Sequence, residues 1–251
     1  MKPLIRQILV ILTTLLTLTA NGLANALPLN GLTTGEISDR FQVYFVPAGY
    51  VFSIWGLIYL GLIAFTVYQA LPSQRNNPRL ERVGGWVVLA NLTNAAWIFL
   101  WHYEQFPLTL LVMLILLASL IMVYLRLETG RVSAPTAENW MARLPFSIYL
   151  GWITVATVAN VTALLDFLKW DGFGLAPETW MVIILAAVLV ISGLVNFSRR
   201  DVAYTAVILW ALAGIGAKFP QAGIVTLATW VTFGLVALTL AGAYLRKQTS
   251  R

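Results

Sequence analysis

The chain has 251 residues, 59% of them hydrophobic and 10% charged, with a mean hydropathy of +0.81. Soluble domains carry roughly 25% charged residues, so this composition excludes an ordinary soluble protein and points to an integral membrane one. With no cysteine and a single histidine, His102, a disulfide, a thiolate nucleophile, a cysteine metal site and a multi-histidine or bis-histidine haem centre within one chain are excluded.

A membrane-spanning helix needs about 20 mostly apolar residues. Eight segments meet or approach this: 4–27, 46–70, 84–101, 107–126, 144–165, 179–197, 202–217 and 221–245. In the first, Lys2 and Arg6 precede an apolar run, and Ala24-Asn25-Ala26 has the small residues of a cleavage site. The run is long for a signal, so a retained helix is expected. The second opens at Pro47 and sets Trp55 and Tyr59 four residues apart, which places both rings on one helix face. The third carries Asn94 and Trp97, and the fifth carries Trp152 and Asn160. The seventh, between Asp201 and Lys218, is the weakest. Breaks fall at Pro72 to Pro78, Pro107, Gly130 to Pro135, Asp171 to Pro177, and Phe219-Pro220.

The net charge of +6 is explained by how the cations sort. With eight spans and an inside N-terminus, thirteen of the sixteen Lys and Arg residues lie inside; only Arg40, Lys169 and Lys218 lie outside. Cytoplasmic loops carry such an excess. The reading is an all-α polytopic bundle with both termini cytoplasmic, placed in a bacterial inner membrane, and nucleic acid is not an expected partner. The lipid bilayer is.

No Asp, Glu, Lys, Arg or His falls deep within a span, whereas ion-coupled pumps and proton relays usually place ionisable groups there. The same absence removes the usual acid–base pairs and Ser-His-Asp chemistry. No metal-ligand cluster and no phosphate loop is found, so no metal and no required cofactor is expected. Tyr44, Tyr68, Trp140, Trp170 and Trp180 sit near span ends and read as interface anchors. His102 reads as a solvated loop residue. Gly214-Ile215-Gly216 and Gly234 to Gly242 read as close helix packing. Asn94 and Asn160 keep two readings open: amides that meet a ligand, or hydrogen-bonded glue between helices.

Three segments carry a resemblance. Pro47, Ala48, Tyr50, Val51, Phe52, Trp55 and Tyr59 follow the pattern Pro-Pro-x-Trp-Val-Phe-x-x-x-Trp-x-x-x-Tyr. Asn94 and Trp97, followed by Phe99 and Trp101, match Asn-x-x-Trp. Tyr149, Leu150, Trp152, Ala156, Thr157 and Asn160 match Tyr-Leu-x-Trp-x-x-x-Ala-Thr-x-x-Asn. In this order and on these helices they resemble the TspO/MBR family, the tryptophan-rich sensory proteins that include the mitochondrial translocator protein. The chain departs from the pattern at Ala48, at Tyr50, and at Pro145, which stands four residues before Tyr149.

The resemblance implies a five-helix membrane core over residues 1–165, with 166–251 a three-helix extension that covers a dimer face, narrows the pocket mouth or forms a module of its own. It further implies an intramembrane pocket for a tetrapyrrole such as a porphyrin or haem, or for another hydrophobic small molecule such as a sterol. The implied lining is Trp55, Tyr59, Asn94, Trp97, Trp152, Ala156 and Asn160. Sensing, regulation or ligand handling, with a possible homodimer, is the expected role. Two alternatives stand beside it: a small-molecule transporter, although the Pro47 to Tyr59 pattern does not recur after residue 166 as two similar halves would require, and an enzyme that degrades porphyrin.

Overall fold

The protein, described as a computed structural model, is resolved over residues 2–27 and 29–249. Arg251, counted above among the inside cations, lies outside the described residues. Among those described there is no strand. Eight helices form the body: α1 Pro3–Ala26, α2 Ile54–Ala70, α3 Pro78–His102, α4 Phe106–Arg126, α5 Leu144–Phe167, α6 Pro177–Arg199, α7 Val202–Lys218 and α8 Ile224–Thr249. A 3-10 turn, Gly49–Ser53, leads into α2, and a π-helical turn, Asn139–Arg143, leads into α5.

Local chemistry sets these ends. Proline occupies the first turn of α1, α3, α4, α5 and α6, where its missing N–H costs no helical bond. Asn77 caps α3 through the Arg79 amide (2.9 Å), and Asp201 caps α7 through the Tyr204 amide (3.1 Å). Between α6 and α7 the chain turns on Arg200, held left-handed at φ 53°, which lets the two helices follow one another with a single residue between Arg200 and Val202.

Seven helical segments are long and apolar enough to cross a membrane; α7, at 17 residues, is shorter. Its ends nonetheless reach both ends of the bundle. Asp201 lies against Ser147 and Tyr124, at the start of α5 and the end of α4, while the Gly214 carbonyl accepts from the Ala48 amide beside the start of α2. Gly214 permits this approach, since a Cβ there would overlap the Val51 side chain. Eight antiparallel passes result. α1 packs on α2 and α3, α3 on α4, α4 on α5, and α5 on α2 and α7; α8 packs on α6 and α7.

The charges absent from the helix middles gather at the two ends. One end is basic. There Arg6 donates to the Gln74 and Arg75 carbonyls, Arg79 and Arg143 share Glu138, and Arg199 donates to the Thr129 carbonyl. At the far end Arg40 pairs with Glu104, Lys218 with Asp39, and the Tyr44 hydroxyl donates to Glu178 (2.9 Å). That bond, followed by burial, raises the Tyr44 phenol above its ordinary pKa.

Three expectations are corrected. Tyr68 is 3% exposed and belongs to the core, not to an interface belt. His102 is fully buried rather than solvated, because the 29–48 segment folds back over it. Gly214 and Gly216 do meet Val51 and Trp230 closely, but Gly234 faces nothing within 4 Å.

Candidate functional site

The α1–α2 loop forms a roof over the far end of the first five helices. Its short helix, Thr34–Asp39, starts in a capping box: the Thr33 hydroxyl accepts from the Glu36 amide, and the Glu36 carboxylate accepts from the Thr33 amide (2.7 Å). The Thr33 backbone amide, followed by the Thr33 side chain, favours the ionised Glu36 carboxylate and lowers its pKa. His102 pins the roof from below. Its Nδ1 faces the Leu29 carbonyl, an acceptor only, at 3.0 Å, so Nδ1 carries the proton; Nε2 meets the Thr34 hydroxyl at 3.1 Å. The Trp101 indole donates to the Thr34 carbonyl (3.2 Å).

Beneath the roof lies a narrow cavity. Helical spacing builds its walls. On α5, Trp152, Ala156, Ala159 and Asn160 recur at one face, and on α3, Trp97 and Trp101 stack with ring centroids 5.4 Å apart. Phe52 and Trp55 close the α2 side, each edge-on to Trp152 at 5.8 and 6.2 Å. Tyr59 stacks on Trp55 at 5.6 Å and faces an adjoining space rimmed by Asn21, Asn25, Glu36 and Asp39. The two spaces share Thr34, Phe52 and Trp55.

Three polar atoms on the inner wall are buried with no hydrogen-bond partner: the indole N–H groups of Trp97 and Trp152, and Oδ1 of Asn160. An unpartnered buried polar group costs about 1–3 kcal/mol. The residues that carry these two donors and one acceptor, Trp97, Trp152 and Asn160, all line the cavity.

Of the sequence-derived residues, Trp55, Trp97, Trp152, Ala156 and Asn160 thus surround one space, with Tyr59 at its antechamber. Asn94 stands apart. Its Nδ2 donates to the Tyr149 hydroxyl and its Oδ1 accepts from Asn21, both at 2.7 Å. It is the centre of a buried ladder joining α1, α3 and α5, extended by Thr17 donating to the Asn91 carbonyl (2.8 Å). The sequence reading did not select Phe52, Trp101, Thr34 or Ser38 as lining. Trp101 carried a signal, being four residues beyond Trp97 on the same face. The spacing Thr33-x-x-Glu36 is a capping-box signal that the sequence reading did not use, and nothing local aimed it at the pocket.

Comparison with known proteins agrees with this architecture. The model of the TSPO-like protein family matches residues 7–242, through α6, α7 and most of α8 as well as the first five helices. No curated protein and no solved structure matches the chain. A match of that extent, over a helical membrane bundle with its aromatic cavity under the α1–α2 loop, makes the chain a member of the TSPO-like family.

Proposed function

We propose that the protein binds a tetrapyrrole, or another flat hydrophobic molecule with polar edges, in the cavity of α2, α3 and α5, and serves in sensing, regulation or handling of that ligand. The observation that carries this reading is the set of unpartnered groups, Trp97 Nε1, Trp152 Nε1 and Asn160 Oδ1, at an otherwise aromatic wall. Aromatic faces and edges favour a planar π-system, and the bare groups supply direction within a low-dielectric interior. Ala156 keeps the wall shallow where a ligand edge must pass. The orientation follows from charge: the basic end is the cytoplasmic one, so both termini are cytoplasmic and the roofed cavity lies toward the outer face of a bacterial inner membrane.

The test is a titration of the full chain in nanodiscs with protoporphyrin IX, read by tryptophan quenching and the Soret band. Wild type is expected to show saturable binding, weakened by Trp152→Phe and blocked by Ala156→Leu. Quenching that stays linear and indifferent to both substitutions means partition into lipid and refutes the proposal. The same titration in light and in darkness separates binding from porphyrin breakdown.

A further inference from the structure

A further, more open cavity lies at the basic end, remote from the aromatic one. It is walled by Thr129 and Gly130 of the α4–α5 loop, by Asn139, Arg143 and Ser147 around the π-helical turn, and by Arg199, Arg200 and Asp201 at the α6–α7 corner. Part of it therefore belongs to the C-terminal helices, and the aromatic site uses none of it.

Its polar groups are incompletely satisfied. Arg143 is 5% exposed; its Nε donates to Glu138 (3.2 Å) and its Nη1 to the Val132 carbonyl, but its Nη2 is buried without a partner. The Thr129 hydroxyl, on the facing wall, is also buried without an acceptor or donor. Arg199, 8% exposed, donates to the Thr129 carbonyl and lies over the Tyr124 ring; Arg200 donates to the Ala243 carbonyl (2.7 Å). Asp201 does not supply the missing partner. Its Oδ2 accepts from Tyr124 (2.9 Å) and Ser147 (2.6 Å), and its Oδ1 accepts from the Tyr204 amide. The lining holds three arginines against one carboxylate. Adding the nearby Arg79–Glu138 pair leaves the same excess of two positive charges.

The geometry is also held in place. The π-helical turn inserts one more residue than an α-helical turn and so redirects Asn139 to Arg143, a device frequent at functional sites. Gly130 has φ +73°, and a side chain there would run into the Arg199 carbonyl, so the loop is locked against the α6–α7 corner. A buried guanidinium with a bare N–H and a buried bare hydroxyl in one lining are costly to keep unless an anion completes them. Arginine forks suit tetrahedral oxyanions in particular. Basic pockets between helices at the cytoplasmic side lie at the depth of lipid headgroups.

We infer that this cavity is a phosphate-binding site, in which Arg143 Nη2, the Thr129 hydroxyl, Arg199 and Arg200 hold one phosphate group of an anionic phospholipid or of a soluble phosphate. Both sources offer the same chemistry, and the experiment separates them. Full-length protein is extracted in mild detergent and offered phosphatidic acid, phosphatidylcholine or inorganic phosphate. Retained lipid is read by native mass spectrometry and phosphate by the shift in thermal unfolding. The variants are Thr129→Val, which removes a hydroxyl without a partner and so leaves the fold intact, and Arg200→Gln. Arg126→Gln, at the same end but outside the lining, is the control.

One phosphatidic acid is expected to stay bound with roughly tenfold preference over phosphatidylcholine, as charge-assisted bonds require. Thr129→Val and Arg200→Gln lower that preference and Arg126→Gln does not. Saturable stabilisation by inorganic phosphate, with the same sensitivity to the variants and no lipid preference, supports the site with a soluble occupant. Three results overturn it: neither phosphate source binds saturably, the two lining variants bind like wild type, or Arg126→Gln weakens binding as much as they do.

Discussion

Asn94 and Asn160 are both buried amides on helices that face one another, yet the structure assigns them opposite energetic signs. Replacing Asn94 with leucine removes two 2.7 Å bonds and leaves the Tyr149 hydroxyl, 1% exposed, without its partner. Side-chain bonds between membrane helices contribute about 0.6 kcal/mol each, and an orphaned buried hydroxyl costs about 1–3 kcal/mol. Asn94→Leu is therefore expected to destabilise by roughly 2–4 kcal/mol. Asn160→Leu removes an Oδ1 that has no partner. It relieves a penalty of about 1 kcal/mol and raises stability, while removing an acceptor from the cavity and weakening ligand binding by roughly tenfold. Thermal unfolding in detergent, followed by circular dichroism, reads the first quantity. At about 2–4 °C per kcal/mol, Asn94→Leu falls well below wild type and Asn160→Leu rises by a few degrees. Porphyrin titration of the same samples reads the second. If Asn160→Leu unfolds as early as Asn94→Leu, then Asn160 holds helices together and the division between ladder and cavity is wrong.

Other outcomes follow from single contacts. Gly214→Leu drives a side chain into Val51, and overpacking of this kind costs about 1–3 kcal/mol, so thermal unfolding should come earlier by several degrees. His102→Phe loses the contacts to Thr34 and Leu29; ligand release, followed by stopped-flow fluorescence, should quicken while the α-helical spectrum is unchanged. Glu36 has a lowered pKa in the folded loop, so its contribution is present above the ordinary carboxylate range and is lost as pH falls through the folded pKa. Protection of the Thr33 and Glu36 amides against hydrogen exchange, relative to the intrinsic rate at each pH, should therefore fall in acid, and in Glu36→Gln it should lose most of that pH dependence.

The bundle was legible because its signals are long and repeated. Runs of about 20 apolar residues, proline at helix starts and the sorting of arginines each point to the same passes, and α7 was marked as short for the reason the structure shows: Asp201 and Lys218 bracket it. The aromatic lining was legible in part, since Trp152, Ala156 and Asn160 share a face by spacing alone. What the sequence hides is whether a polar side chain is satisfied. Asn94 and Asn160 look alike in one dimension, and only the positions of Asn21 and Tyr149 separate them. His102 reads as a loop residue because the segment that buries it lies some seventy residues earlier. The basic cavity was invisible for the same reason: Thr129, Arg143 and Arg199 meet only when the α4–α5 connection and the α6–α7 corner are folded together.

The roof over the aromatic cavity is fastened along its length. Thr34 is held by α3, Asp39 by Lys218 at the end of α7, Arg40 by Glu104, the Gln42 amide by Asp166, and Tyr44 by Glu178 at the start of α6. Lys218, Asp39, Arg40 and Glu104 keep part of their side chains in water, where dissolved ions screen such pairs. The chamber is thus shut by fasteners whose strength the surrounding salt sets. One of them is anchored on a C-terminal helix, so lateral tension that draws α7 away from its neighbours pulls on the same strap that covers Trp97 and Trp152.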